Sequence, residues 1–300
     1  MKENELAHAR HKQHIPLAVI YTVLAALCFS LMSLMGKLIG EQASTDTVLF
    51  ARYVVSLVLI LPWVIKNPRD ALRVSQPMKL MTRSALTLLA LGCFFYALRF
   101  ISLGDALVLN NTFPLFIPLI AWAFHRIRTP HKMWIGIVLG FFGVVLVLRP
   151  GPQFFHAASL IGLASGAFGA FSFIVIRFMT KAVPLIQILF YNFFICFLIT
   201  GLLLPFGWTA LSERTLVLLL GVGVFGFAYQ YFSTLFLAKA SVRITSPLMY
   251  LCIVFGVAAD YLIWEIVPGA WSIAGMLCII AGGILTIFFG QKEIRPDSFK

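Results

Sequence analysis

Asp105 to Phe124 reads DALVLNNTFPLFIPLIAWAF. The run is apolar and long enough to cross a bilayer, yet Asn110, Asn111, Thr112, Pro114 and Pro118 sit near its middle. Amides in hydrocarbon are costly unless they face a partner helix or water, and each proline deletes a backbone donor. A helix that served only as an anchor has no use for them, so the stretch reads as a span that lines a cavity. The competing reading is interhelical glue with a packing kink, since prolines and small polar residues are tolerated between membrane helices.

The rest of the chain supplies the setting. Hydrophobic residues make up 61% of its 300 residues and charged ones 11%, against roughly 25% charged in soluble domains, and mean hydropathy is +0.96. This is the composition of a polytopic all-α membrane protein, with the lipid bilayer as its surroundings. On a soluble protein a net charge of +12 would suggest nucleic acid. Here Lys and Arg fall in short loops between apolar runs, where they set orientation, and nucleic acid is not an expected partner. Cys28, Cys93, Cys196, Cys252 and Cys278 lie inside apolar runs with no CxxC or Cys/His spacing, so neither a disulfide nor a metal site is expected of them. His8, His11 and His14 sit in a charged tail with no acid or Cys to complete a ligand set. No cofactor is expected.

Ten apolar runs can be marked, at 15–36, 47–65, 82–100, 105–124, 132–149, 158–178, 184–204, 214–237, 245–264 and 269–290, each close to the roughly 17–25 residues that a bilayer crossing needs. The longest connection, Lys66 to Arg83, is too polar to cross and reads as a surface turn. With the N-terminus inside, the inner segments hold 18 Lys and Arg, Arg83 among them, and the outer segments hold 4, with Arg52 a few residues into the second run. Both termini are therefore expected in the cytoplasm.

The two halves echo one another. A shift of 140 sets Lys37 on Arg177 and Phe50 on Phe190; a shift of 139 further along sets Ser102 on Ser241, Gly136 on Gly275, Gly143 on Gly282 and Gly151 on Gly290. Residues 1–150 and 151–300 then read as two five-helix repeats. Five is odd, so the second copy enters the membrane inverted, the arrangement used for alternating access by many secondary transporters. In this register 105–124 corresponds to Ile244 to Ile263, which again opens on polar residues and a proline: Thr245, Ser246, Pro247 and Tyr250. Gly136, Gly140, Gly143, Gly275, Gly282 and Gly283 in the fifth and tenth runs read as close-packing or dimerising faces, and a homo-oligomer stays open.

Several stretches resemble the EamA-type drug/metabolite transporters. They are LAALCFSLMSLMGKL ending near Lys37, FARYVVSLVLILP with Arg52, YALRFISLGDALVLNNTFPLF, the glycine-rich fifth run closing on VLVLRPG, and LAKASVRITSPLMYL in the second half. The resemblance covers nearly the whole chain and implies ten transmembrane helices in two inverted repeats, a bacterial inner (plasma) membrane location and a small-molecule substrate. Family members usually carry a Gly-Glu pair after the fourth and ninth spans. Here His125 and Arg126 stand at the first place and Trp264 with Glu265 at the second. LFYNF (Leu189 to Phe193) and SPLMYL most resemble the S-adenosylmethionine uptake branch of intracellular bacteria.

Polar residues inside the runs nominate the site. Tyr229, Gln230 and Ser233, with Tyr231 and Thr234, form the densest polar aromatic patch, suited to stacking on a ligand while hydrogen-bonding its edge. Asn110, Asn111, Tyr96 and Tyr250 complete the substrate-binding set, in a cavity drawn from the first, third, fourth, sixth, eighth and ninth spans. Tyr229, Gln230 and Tyr250 are expected to meet across it. Gln187, Tyr191 and Asn192 read rather as helix–helix hydrogen-bonding groups. Lys37 and Arg52 lie near outer span ends, where they either snorkel to headgroups or form a cationic rim. Asp260, the one acid well inside a run, either couples protons or binds a cationic substrate, or else forms a structural ion pair with Arg52 or Arg149.

The sum is a secondary transporter of a small organic metabolite: S-adenosylmethionine, or an amino-acid-like or nucleoside-like solute. The alternative is a membrane-embedded transferase. Such an enzyme needs a nucleophile or metal with a base in reach, and no histidine lies mid-span and no Walker-type or GxSxG element occurs.

Overall fold

The computed structural model describes residues 15–72, 76–125, 131–148, 157–179, 183–204, 211–239 and 248–290. The histidine tail, Arg126, Arg149, Gly151, Thr245, Ser246, Pro247 and both chain ends lie outside them. Every regular element among the described residues is helical. The helices are α1 (Ile15–Ile39), α2 (Thr45–Lys66), α3 (Pro68–Leu72), α4 (Pro77–Leu98), α5 (Leu103–Asn110), α6 (Phe113–His125), α7 (His131–Leu148), α8 (Ala157–Met179), α9 (Leu185–Leu203), α10 (Glu213–Lys239), α11 (Leu251–Trp264) and α12 (Ala270–Gly290). Six of them, α1, α2, α4, α8, α9 and α10, are long and apolar enough to cross a membrane, and four shorter apolar helical stretches accompany them. The outward faces are apolar too: Val58, Leu202, Val217, Leu262 and Leu277 are all exposed, as suits a protein that meets lipid rather than water.

Two boundaries differ from the sequence reading. α4 begins at Pro77 rather than at residue 82, because proline is well placed in a helix's first turn, where the donor it lacks would be unpaired anyway. Lys79 and Arg83 are consequently helical residues, not loop charges. The fourth run is also not one helix: it divides into α5 and α6 at Asn111 and Thr112, two residues before Pro114.

The turn between α4 and α5 is held from both sides. Lys37 of α1 donates from Nζ to Leu98 O at 2.9 Å and to Ile101 O, at the carbonyl end of α4. Asp260 of α11 accepts at Oδ1 from Leu103 N (3.2 Å) and at Oδ2 from Gly104 N (2.7 Å). Ser102 takes the next two donors, with Oγ accepting from Asp105 N at 3.1 Å and its carbonyl from Ala106 N at 3.0 Å. The amides of Leu103, Gly104 and Asp105, which precede the first bond within the helix, are thereby satisfied. Each charge also has the sign that its helix end favours. Of the readings offered for Asp260, the ion pair with Arg52 does not form: Asp260 faces the amides of Leu103 and Gly104, while Arg52 lies against Gly226 O and the Tyr53 ring.

α7 and α12 pack antiparallel through glycines. A Cβ on Gly143 would lie 2.6 Å from Gly275 O, and one on Gly136 would lie 2.7 Å from Gly282 O. The glycine faces in the fifth and tenth runs are thus buried against each other within one chain, and their close approach requires no second copy.

Two outcomes follow for stability. Gly143→Leu forces these backbones apart and should cost at least about 1–3 kcal/mol by overpacking, read as a lower melting temperature and less folded protein extracted from membranes. Gly169→Ala, whose Cβ would meet nothing within 4 Å, should keep wild-type levels. Separately, Asp260→Ala strips two buried amides of their acceptor and should cost about 1–3 kcal/mol for each, while Asp260→Asn, which keeps one acceptor oxygen, should cost less. Wild-type melting in Asp260→Ala would remove the clamp from this account.

Candidate functional site

A cavity opens where α5 breaks. It has about 690 Å³ of atom-free space, the open solvent at its mouth included. Its walls come from Phe29 of α1; Arg83, Thr87, Ala90 and Leu91 of α4; Asn110, Asn111 and Phe113 at the break; Gly169, Ser172 and Phe173 of α8; and Tyr229, Gln230 and Ser233 of α10, with Met249 ahead of α11. These are the six spans from which the sequence reading drew a cavity.

The break exists because Pro114 offers no amide and two polar side chains seal what is left open. Asn111 Nδ2 donates to Leu107 O at 2.8 Å and to Cys252 Sγ at 3.1 Å, and Thr112 Oγ1 donates to Leu109 O at 2.6 Å. Asn110 turns the other way: its Nδ2 donates to Ser165 Oγ of α8 at 3.0 Å. α8 can come this close because Gly166 faces the break, where a Cβ would sit 2.7 Å from Leu109 O. On the far wall Ser233 Oγ and Thr234 Oγ1 both donate to Gln230 O, at 3.0 and 2.7 Å. Thr87 and Ser172 share a hydroxyl–hydroxyl bond of 2.9 Å. Aromatic rings frame these groups: Phe29 and Tyr229 lie 4.7 Å apart, and Phe113 stacks on Phe173 at 4.7 Å with 3° between planes. The result is an apolar, aromatic box with amides and hydroxyls at a few points, able to hold a small solute by stacking and edge hydrogen bonds.

Of the residues nominated from sequence, Asn110, Asn111, Tyr229, Gln230 and Ser233 line this cavity together. Tyr250 does not. It is buried, with its phenol directed at Gly283 of α12 and its hydroxyl without a protein partner, so Met249 stands at the cavity in its place. Tyr96 is 42% exposed on the outside of α4, its ring 5.2 Å from that of Phe100. Tyr231 is half-buried and lies off the cavity lining, stacked on Trp63 at 5.2 Å. Lys37 and Asp260 belong to the α4–α5 turn. Arg52 was expected at an outer rim but is fully buried, its Nη2 3.5 Å from Gly226 O and its guanidinium 5.0 Å from the centre of the Tyr53 ring.

Sequence reasoning missed Arg83, which lines the cavity and is 1% exposed. It had been counted as a loop charge setting orientation. The available signal was Pro77, which moves the helix start far enough back to carry Arg83 one to two turns inside. Phe29, Phe113 and Phe173 were missed because a phenylalanine in an apolar run looks the same whether it faces lipid, core or cavity.

Comparison with known proteins gives this architecture a family. The EamA-like transporter family matches residues 16–149 and again residues 156–288. The chain is 27% identical over 271 residues to the pseudopaline exporter CntI of Pseudomonas aeruginosa, covering 89% of this chain and 94% of that one. It is 25% identical over 282 residues to an S-adenosylmethionine uptake transporter of Rickettsia prowazekii, covering 91% and 96%. A crystal structure shares the fold with a TM-score of 0.65 at 15% identity, over 92% of this chain and 98% of its own. With both halves of the chain matched, the protein belongs to the EamA-like transporter family.

Proposed function

We propose that the protein is a secondary transporter that carries a small organic metabolite across a bacterial inner membrane by alternating access. The observation that carries this reading is the cavity at the α5–α6 break, walled by both halves of the chain and lined by Asn110, Asn111, Tyr229, Gln230 and Ser233. Relatives named as transporters of metabolites support the class. Among solutes, S-adenosylmethionine and other amino-acid-like or nucleoside-like compounds suit a box of rings and amides.

Ten spans in two inverted repeats are the frame of this proposal. Helix neighbours support it, because they survive exchange of the halves. α1 packs on α10 as α8 packs on α4, α2 on α10 as α9 on α4, and α1 on α11 as α8 on α5. The glycine seam does the same: Gly143 meets Gly275 and Gly136 meets Gly282, contacts that interchange when each residue is replaced by its partner at a shift of 139. The lining supports it further, since Phe29 and Gly169, Ala90 and Tyr229, Leu91 and Gln230, and Asn110 and Met249 are equivalent pairs, all at the cavity. A reporter after Lys300 should read cytoplasmic and one within 205–213 external; a cytoplasmic signal from the latter would break the ten-span count.

Transport itself is tested with the purified full-length protein in liposomes. Saturable accumulation of S-adenosylmethionine, an amino acid or a nucleoside without chemical change is the expected result. Chemical conversion of solute or lipid without flux would favour a transferase. Within that assay Tyr229→Ala should remove a stacking contact worth about 0.5–2 kcal/mol, a roughly 2- to 30-fold rise in half-saturation. Tyr229→Phe should cost less. Asn110→Ala should lower flux at matched protein abundance, and Tyr96→Ala should change nothing. Equal losses at Tyr96 and Tyr229 would move the site off this cavity.

A further inference from the structure

Two guanidinium groups are buried in the bundle with no carboxylate beside them among the described residues. Arg52 on α2 is 0% exposed and Arg83 on α4 is 1% exposed. In each, Nε and Nη1 have no hydrogen-bond partner in the protein. Arg52 has only the carbonyl of Gly226 and the face of Tyr53. The groups within electrostatic range of Arg83 are Cys196, Tyr53, Tyr229 and Arg52 itself. None of these is an acid, and one is a like charge.

Among the described residues the acids are placed elsewhere, Glu41 in the turn after α1 and Asp70 in α3. Asp260 is held at the start of α5, Asp105 lies in that helix's first turn, Asp46 and Glu213 lie in the first turns of α2 and α10, and Glu265 caps α11. A buried charge with no counter-charge is among the most costly features a fold can keep, and inside a membrane bundle it marks function by default. Arg83 also reaches the cavity wall, beside Thr87, Ser172 and Tyr229. A guanidinium offers a planar fork of donors matched to the two oxygens of a carboxylate or phosphate.

We propose that Arg83, with Arg52 behind it, binds an oxyanion of the transported solute, so that the substrate is an organic anion or zwitterion bearing a carboxylate or a phosphate ester. This rests on the transporter reading above. The oxyanion sits at the Arg83 end of the cavity and supplies the counter-charge that the described residues do not. The remainder of the solute extends along Tyr229, Gln230 and Asn110. A neutral analogue leaves the guanidinium buried and unpaired, and is rejected for that reason.

The test uses the purified full-length protein in nanodiscs at constant chloride, with benzoate, citrate and inorganic phosphate as oxyanion probes and benzamide as the neutral control. At least one oxyanion should raise the melting temperature saturably while benzamide does not, and whether the carboxylates or phosphate act identifies which oxyanion the site takes. Arg83→Gln should abolish the response, and Arg83→Lys, which keeps a point charge without the fork, should need a several-fold higher concentration. No response to any of the three, or an undiminished response in Arg83→Gln, overturns the proposal. Should Arg83→Gln fail to fold, the wild-type contrast of benzoate with benzamide still decides. The two readings fail separately: flux indifferent to these anions and to Arg83→Gln removes the anion site and leaves transport standing, whereas anion binding without flux does the reverse.

Discussion

Backbone in an apolar slab has no water to fall back on, so every interruption of a helix must be closed by groups the protein supplies. The turn between α4 and α5 is where this constraint is met most completely, and the site hangs from it. Lys37 closes the carbonyl end of α4, Asp260 closes the amide end of α5, and Ser102 closes the rest. The two charges come from helices far apart in the chain, α1 and α11, which makes the turn a joint between the halves. It sets the start of α5, and the length of α5 then sets where Asn110 and Asn111 meet the cavity.

The break at the end of α5 divides labour between those two asparagines. Asn111 satisfies the backbone its own interruption exposes, bonding back to Leu107 O and across to Cys252. Asn110 reaches Ser165 on α8 and leaves its remaining capacity facing the cavity wall. Both asparagines line the cavity, but Asn111 also closes backbone within its own run while Asn110 bonds a side chain of another helix.

What sequence made legible follows from locality. Asn110, Tyr229, Gln230 and Ser233 could be found because a polar group in an apolar run is conspicuous without knowing any neighbour. The glycine seam was visible because glycines separated by one fixed shift are rarely accidental, although the pattern alone could not say whether the faces met each other or another copy. Asp260 was conspicuous as well, but its partners are main-chain amides, which leave no trace in residue identity. Tyr250 failed for a finer reason: at the start of α11 one residue's rotation separates Met249 at the cavity from a phenol turned towards Gly283. Arg83 failed because orientation rules count every arginine near a span end as a loop charge, and only the position of Pro77 distinguishes the two cases.

On the proposed inverted repeat, such a site acquires direction from its side chains. Positions related by a shift of 139 or 140 both line the cavity, yet in each pair the side chains differ: Phe29 pairs with Gly169, Tyr229 with Ala90, Gln230 with Leu91, and Asn110 with Met249. One member is bulky or polar and the other small or apolar. Arg83 extends the pattern, for its counterparts at shifts of 139 and 140 are Val222 and Gly223. In the proposed alternating-access cycle a symmetric backbone rocks between two mirrored openings at similar energy, while an asymmetric lining would keep the solute in one orientation. Arg83, Asn110 and Asn111 of the lining belong to the first half and Tyr229, Gln230 and Ser233 to the second, so the proposed anionic solute would meet charge and amides from one half and a phenol, an amide and a hydroxyl from the other.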